Sequence, residues 1–266
     1  MSSIPLTAQL IWAGVFGAVL GSFLNVVAVR FAAGTDASGR SACPTCNHQL
    51  SWSENVPILG WLALGGRCLH CRTPINIRYP VVEALNALLW VMLWWHIPPQ
   101  TPPEALLTGL QLLTGSALLT ITLTDLDTGR IPNRVTLPAG VMTAGLIALT
   151  SLAGQNETAH GALIGAAVYT APILVFALVG AMGFGDAKIA PVIGASLGAI
   201  GMPTLVMGMV APYLLAFPAA LLTLRRGGRG STLPLGPALA GGWLLALFFG
   251  KQAASLFGVD ILLAQL

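Results

Sequence analysis

Charge is what this sequence most conspicuously lacks: Lys and Arg number 12, Asp and Glu nine, and together they make up 8% of 266 residues. A water-facing globular domain carries about 25% charged residues. With 55% hydrophobic residues and a mean hydropathy of +0.81, the chain needs lipid to cover most of its surface. No basic residue precedes Arg30, and the first apolar stretch is too long for the core of a secretory signal. The expected reading is a retained span with its N-terminus on the outer side rather than a cleaved secretory signal. No strand followed by a glycine-rich turn marks a soluble nucleotide-binding unit, and no nucleic-acid partner is expected.

What is present is a series of apolar stretches. A span needs roughly 20 residues at about 1.5 Å rise to cross a ~30 Å hydrocarbon core. Candidates run from about Leu10 to Val29, Val81 to Ile97, Ala105 to Thr124, Thr136 to Leu152, Ala159 to Met182, Ala187 to Ile200, Leu205 to Leu224 and Pro237 to Phe257. The sixth is short and glycine-rich, which suits a helix tilted, kinked or buried among its neighbours. The expected fold is an all-α membrane protein, a bundle of about eight transmembrane helices with a small cytoplasmic zinc-ribbon-like loop domain. Its parts are a first helix at 1–30, a four-cysteine loop at 31–79 and a multi-spanning bundle at 80–266.

Basic residues set the orientation. Arg30, Arg40, Arg67, Arg72 and Arg78 flank or occupy the large loop. Arg130 and Arg134, Lys188, and Arg225, Arg226 and Arg229 follow spans three, five and seven. With eight spans all of these fall on one side, the cytoplasm. The opposite connections carry neither Lys nor Arg, and Lys251 is the exception. Both termini are then outside.

All four cysteines lie in the loop, as Cys43-Pro-Thr-Cys46 and, after 21 intervening residues, Cys68-Leu-His-Cys71. Two such knuckles can set four thiolates in the tetrahedron that Zn²⁺ accepts. The loop is also too small and polar to fold on its own apolar burial, whereas metal binding becomes folding free energy. Two disulfides or four idle thiols are the alternatives, and a reducing compartment disfavours the first. His48 and His70 lie near the knuckles and read as ordinary loop histidines. A closed four-thiolate site is structural, so it carries no catalysis.

Acids at membrane depth are costly and usually functional. Asp125 and Asp127 follow span three in Thr124-Asp-Leu-Asp-Thr-Gly129, and Asp186 closes Gly183-Phe-Gly-Asp after span five. Asp125 and Asp186 share one depth and one face. Two carboxylates held close share a proton, so one can deprotonate a water while the other donates to a scissile carbonyl oxygen. On a continuous helix Asp125 and Asp127 are about 200° apart; Asp125, nearer the apolar run, is the choice. The glycines before Asp186 permit close approach of backbone, as a bound peptide would need. The plainer alternative has Asp125 and Asp127 at the interface beside Arg130 and Arg134, with Asp186 pairing Lys188.

These residues resemble the type IV prepilin peptidase family, the GxGD-type membrane aspartyl proteases. The resemblance runs through Gly21-Ser-Phe-Leu-Asn25, the cysteine-loop block from Cys43 to Glu83, Asp125 with Ile131-Pro-Asn133, Gly183 to Lys188, and Pro234-Leu-Gly-Pro237, where the family often has Phe for Leu235. Gly60 stands where the family often has Ser. The resemblance implies catalysis by Asp125 and Asp186, inner-membrane residence with a cytoplasmic active site, and prepilin or type II secretion pseudopilin substrates cut after a glycine. Members with the cysteine loop also N-methylate the new N-terminus from S-adenosylmethionine. Asn25, Glu54, Arg78 and Glu83 are candidates for that second activity, with interhelical hydrogen bonding or anchoring as their other role. A peptidase with a purely scaffolding zinc loop is one alternative. A proton-coupled transporter is another, disfavoured because the acids gather at one interface and no inverted repeat is visible.

Overall fold

The computed structural model describes residues 4–35, 39–180, 182–225 and 234–256; Arg226, Arg229 and Phe257 lie outside them. Contacts gather the chain into two compact units, Met1–Pro98 and Pro99–Leu266. Among the described residues every regular element is helical. Each of the eight apolar stretches overlaps one helix among the described residues, the fifth running past the end of its helix at Leu178, and a further short helix lies within the loop. Five of these helices are long and apolar enough to cross a membrane.

The first unit holds α1 (Leu6–Ala32), the short α2 (Leu59–Ala63) and α3 (Arg78–His96). Helices α1 and α3 pack along small residues. A Cβ on Gly17 would lie 2.9 Å from Trp90 Cβ, and one on Gly21 would lie 2.9 Å from Asn86 Cβ. With no side chain in the way, the backbones approach closely, as helix association in lipid requires. Asn86 Nδ2 donates to Gly17 O at 2.7 Å, and Trp94 Nε1 donates to Gln9 Oε1 at 3.0 Å.

The second unit holds α4 (Pro102–Thr128), α5 (Asn133–Leu152), α6 (Asn156–Leu178), α7 (Phe184–Ile200), α8 (Met202–Arg225) and α9 (Gly236–Leu256). Helix α4 begins on a side-chain cap: Thr101 Oγ1 accepts from Glu104 N, and Glu104 Oε2 accepts from Gln100 N, just before the cap, at 2.7 Å. It ends at Gly129, whose left-handed conformation (φ 63°) lets its N–H donate to Asp125 O at 2.8 Å.

Helix α7 is the core of this unit, and α4, α5, α6, α8 and α9 all pack against it. From Ala187 to Gly198 nearly every residue is buried except Lys188. At 17 residues it covers about 25 Å, short of a full span. Burial among neighbours, one of the expected outcomes for the sixth stretch, is what the fold adopts. Gly161 and Gly165 of α6 interlock with Gly194 and Gly198 of α7: a Cβ on any of the four would collide with backbone carbonyl of the facing helix. This is a reciprocal pair of four-residue glycine repeats. Deeper in the core, Ser196 Oγ donates to Gln111 Oε1 at 2.6 Å, Gln111 Nε2 donates to Ser196 O at 3.0 Å, and Trp243 Nε1 donates to Ser196 Oγ at 2.8 Å. That network ties α4, α7 and α9.

Candidate functional site

The second unit brings Asp125 and Asp186 together. Each is 7% exposed, and Asp186 lies within electrostatic reach of Asp125. Because α4 continues to Thr128, Asp125 faces inward while Asp127 is exposed. Asp186 sits in the first turn of α7, where the helix dipole favours negative charge, and its N–H donates to Gly183 O at 3.1 Å.

Three further segments close around the pair. Gly236 N donates to Asp125 Oδ2 at 2.7 Å, so the Pro234–Pro237 motif fixes that carboxylate through its backbone. A Cβ on Gly236 would stand 3.0 Å from the same oxygen. Ile131 packs on Gly185, where a Cβ would meet Ile131 Cβ at 2.9 Å. The missing side chain at Gly185 thus makes room for the chain's own Ile131. Lys188 Nζ donates to Asn133 Oδ1 at 2.8 Å, joining the two motifs across α5 and α7. Tyr169 and Tyr213 also lie within electrostatic reach of Asp186. Neither tyrosine was singled out in the sequence, since nothing local to them signals the approach. The backbone donor at Gly236, 111 residues from Asp125, had no side chain to read.

In the first unit the two knuckles are built alike. Cys43 N donates to His48 O and Cys68 N to Thr73 O, both at 2.9 Å. Asn47 and Arg72 then take matching left-handed conformations, with φ 55° and 59°. A tetrahedron of thiolates about 2.3 Å from zinc has edges of about 3.8 Å. Cys43 Sγ lies 3.7 Å from Cys71 Sγ, and Cys46 Sγ lies 3.9 Å from Cys68 Sγ, with all four sulfurs within 4.8 Å of one another. No disulfide joins them. The Thr73 hydroxyl and its backbone pull Cys71 down to about 6, whereas, against the lowering pull of the His48 backbone, burial and the adjoining cysteines push Cys46 up to about 11; the sulfur separations are therefore what favour metal binding. The set can hold zinc. His48 and His70 stand outside it, stacked on each other with ring centroids 3.5 Å apart; His48 Nε2 lies 3.7 Å from Glu54 Oε2.

Three of the four methylation candidates, Glu54, Arg78 and Glu83, line one cavity of about 500 Å³ in this unit. Asn25 does not; it is fully buried in α1 with neither amide atom hydrogen-bonded. Glu83 Oε2 accepts from Ile58 N at 2.7 Å. The Ser51 hydroxyl and backbone N–H hold the Glu54 carboxyl below the usual carboxylate range. At Gly60 a Cβ would lie 2.5 Å from Glu54 O, so the serine usual at this place would require the loop to shift.

The chain matches two family models: the Bacterial Peptidase A24 N-terminal domain over residues 15–97, and the Type IV leader peptidase family over residues 112–258. Among curated relatives, a Burkholderia pseudomallei protein named prepilin leader peptidase/N-methyltransferase is 33% identical, the alignment covering 97% of this chain and 91% of the relative. Proteins of the same name from Aeromonas hydrophila and Pseudomonas aeruginosa are 35% and 33% identical. The first alignment covers 80% of this chain and 72% of the relative, the second 89% of each. No solved structure matches at a significant level.

Proposed function

Since the chain belongs to the type IV leader peptidase family, we propose that it removes the leader of prepilins and type II secretion pseudopilins and N-methylates the new N-terminus. It is a peptidase of a multi-pass bacterial inner-membrane type, as its five apolar helices and its relatives agree. The finer reading is that all eight long helices belong to the membrane bundle and that the site faces the cytoplasm. The gathering of Lys and Arg on one side of an eight-span topology supports it.

What supports the peptidase reading is that Asp125 and Asp186 are both buried and within electrostatic reach of each other, inside a unit that matches the peptidase family. One carboxylate takes a proton from water as the oxygen attacks the scissile carbonyl. The other, protonated, donates to the carbonyl oxygen. When the tetrahedral intermediate collapses, the carbon–nitrogen bond breaks, the departing amine takes the proton that the first carboxylate had accepted from water, and a hydroxyl of the intermediate returns one to the second. Gly236 holds Asp125 in position during this sequence, and the α7 N-terminus holds Asp186.

The four cysteines are assigned to a structural zinc ion, supported by the sulfur separations. Cys43, Cys46, Cys68 and Cys71 would hold it, and its contribution is to fold residues 31–79. S-adenosylmethionine is assigned as methyl donor on the relatives' names; it supplies an electrophilic methyl group to the free amine. The experiment is a time course with purified protein, the methyl donor and a synthetic prepilin, followed by mass spectrometry of both products. The mature fragment is expected to carry one added methyl. Cleavage without methylation would reduce the function to peptidase with a scaffolding zinc loop.

A further inference from the structure

We propose that His48, His70 and Glu54 form a second metal site in the four-cysteine loop, one that takes an exchangeable divalent transition cation of the zinc class. The site is separate from the four cysteines: its donors are nitrogen and oxygen only, and one ligand atom from each residue lies within 4.8 Å of the other two. For donors about 2.1 Å from a tetrahedral cation, the edges are about 3.4 Å. His48 Nε2 and Glu54 Oε2 stand 3.7 Å apart, too far for a hydrogen bond and close to such an edge. His70 is the exposed member, and its ring can turn to close the remaining distance.

The two knuckles place the imidazoles. His48 follows the first knuckle, and its carbonyl accepts from Cys43 N at 2.9 Å; His70 lies inside the second, just before Cys71. Gathering the cysteines therefore also brings the rings together, with centroids 3.5 Å apart and planes at 38°. Glu54 completes the set from the turn that follows, its side chain 5% exposed. Its Oε2 accepts from Ser51 N at 2.9 Å and from Ser51 Oγ at 2.7 Å, the outer hydrogen bonding that orients a ligating carboxylate. Its Oε1 is buried and accepts nothing. A buried carboxylate oxygen without a donor is costly, and a cation beside the carboxylate offsets that cost. Imidazoles with a carboxylate suit zinc, cobalt, nickel or copper, whereas magnesium and calcium prefer oxygen donors. Three protein ligands leave a coordination position open to water. With that opening and an exposed ligand, the site exchanges with solvent, unlike a closed four-thiolate site. Glu54 also lines the cavity of about 500 Å³, so the cation would steady one wall of it while tying both knuckles to the Ser51–Glu54 turn.

The test titrates the full-length, zinc-loaded protein in nanodiscs with cobalt(II), followed by visible absorption and by metal analysis. Wild type should take up about one further equivalent, with weak d–d bands and no thiolate-to-cobalt charge-transfer absorption, while its zinc content stays constant. His48→Ala and His70→Ala should each weaken that uptake by at least about tenfold with zinc retained. His160→Ala, on α6, should leave it unchanged. No further equivalent in wild type, or uptake that neither loop variant alters, would overturn the proposal. Charge-transfer bands accompanied by zinc release would overturn it too, since cobalt would then have entered the cysteines. The same bands keep the two assignments apart: protein without zinc at the cysteines that still binds cobalt through His48 and His70 would retain this site and lose the other.

Discussion

At Gly236 a single added carbon tests how Asp125 is held. The N–H of this residue donates to Asp125 Oδ2 at 2.7 Å, and a Cβ would stand 3.0 Å from the same oxygen. Gly236→Ala forces the carboxylate or the start of α9 to move. Small misplacements of reacting groups cost up to about a hundredfold in rate. The variant is expected to lose cleavage rate by about tenfold to a hundredfold with KM little changed, as steady-state kinetics on a synthetic prepilin would show. Unaltered kcat would mean the Gly236 bond is incidental. The sequence motifs made Asp125 and Asp186 legible because acids at membrane depth are rare and Gly183 and Gly185 flag a tight turn. Gly236 was legible only as part of a motif. Its role lies in a backbone N–H, which every residue but proline has, brought close by the tertiary fold.

At the scale of elements, the α6–α7 contact and the knuckles make separate predictions. The interlocked Gly161, Gly165, Gly194 and Gly198 leave no space for a methyl group. Gly194→Ala should destabilise the second unit by about 1–3 kcal/mol, the usual scale of overpacking. Because α7 carries Asp186, it should also depress cleavage; thermal unfolding in detergent and a cleavage assay would measure the two effects. Gly140→Ala on α5, where a Cβ meets nothing within 4 Å, should leave both within error. For the loop, metal analysis of protein purified under reducing conditions should find about one zinc per chain, and Cys43→Ser should lower that content. Zinc-free protein with four intact thiols would contradict the assignment.

Element boundaries were largely legible for the same reason the class was: long uncharged stretches can only be helices in lipid. Which helix would be central was legible in part. The short, glycine-rich sixth stretch left tilt, a kink or burial open, and its burial on all sides follows from glycine spacing on two helices that must face each other. The paired knuckles were visible as two CxxC motifs. Their matched left-handed residues, Asn47 and Arg72, were not, since neither residue type demands that conformation.

For the whole molecule, the assignment separates two chemistries by unit. Residues 1–98 carry the four-cysteine cluster and the cavity; residues 99–266 carry the aspartate pair. Loss of zinc should therefore affect methylation of the product more than a fault in the α6–α7 packing does. The central claim remains the aspartate pair. Its most direct measurement is leader removal from a purified prepilin by Asp125→Asn and Asp186→Asn proteins that retain wild-type zinc content and melting temperature. Each variant is expected to release no mature pilin under conditions where wild type converts all of it. Wild-type cleavage by either one would contradict the pair.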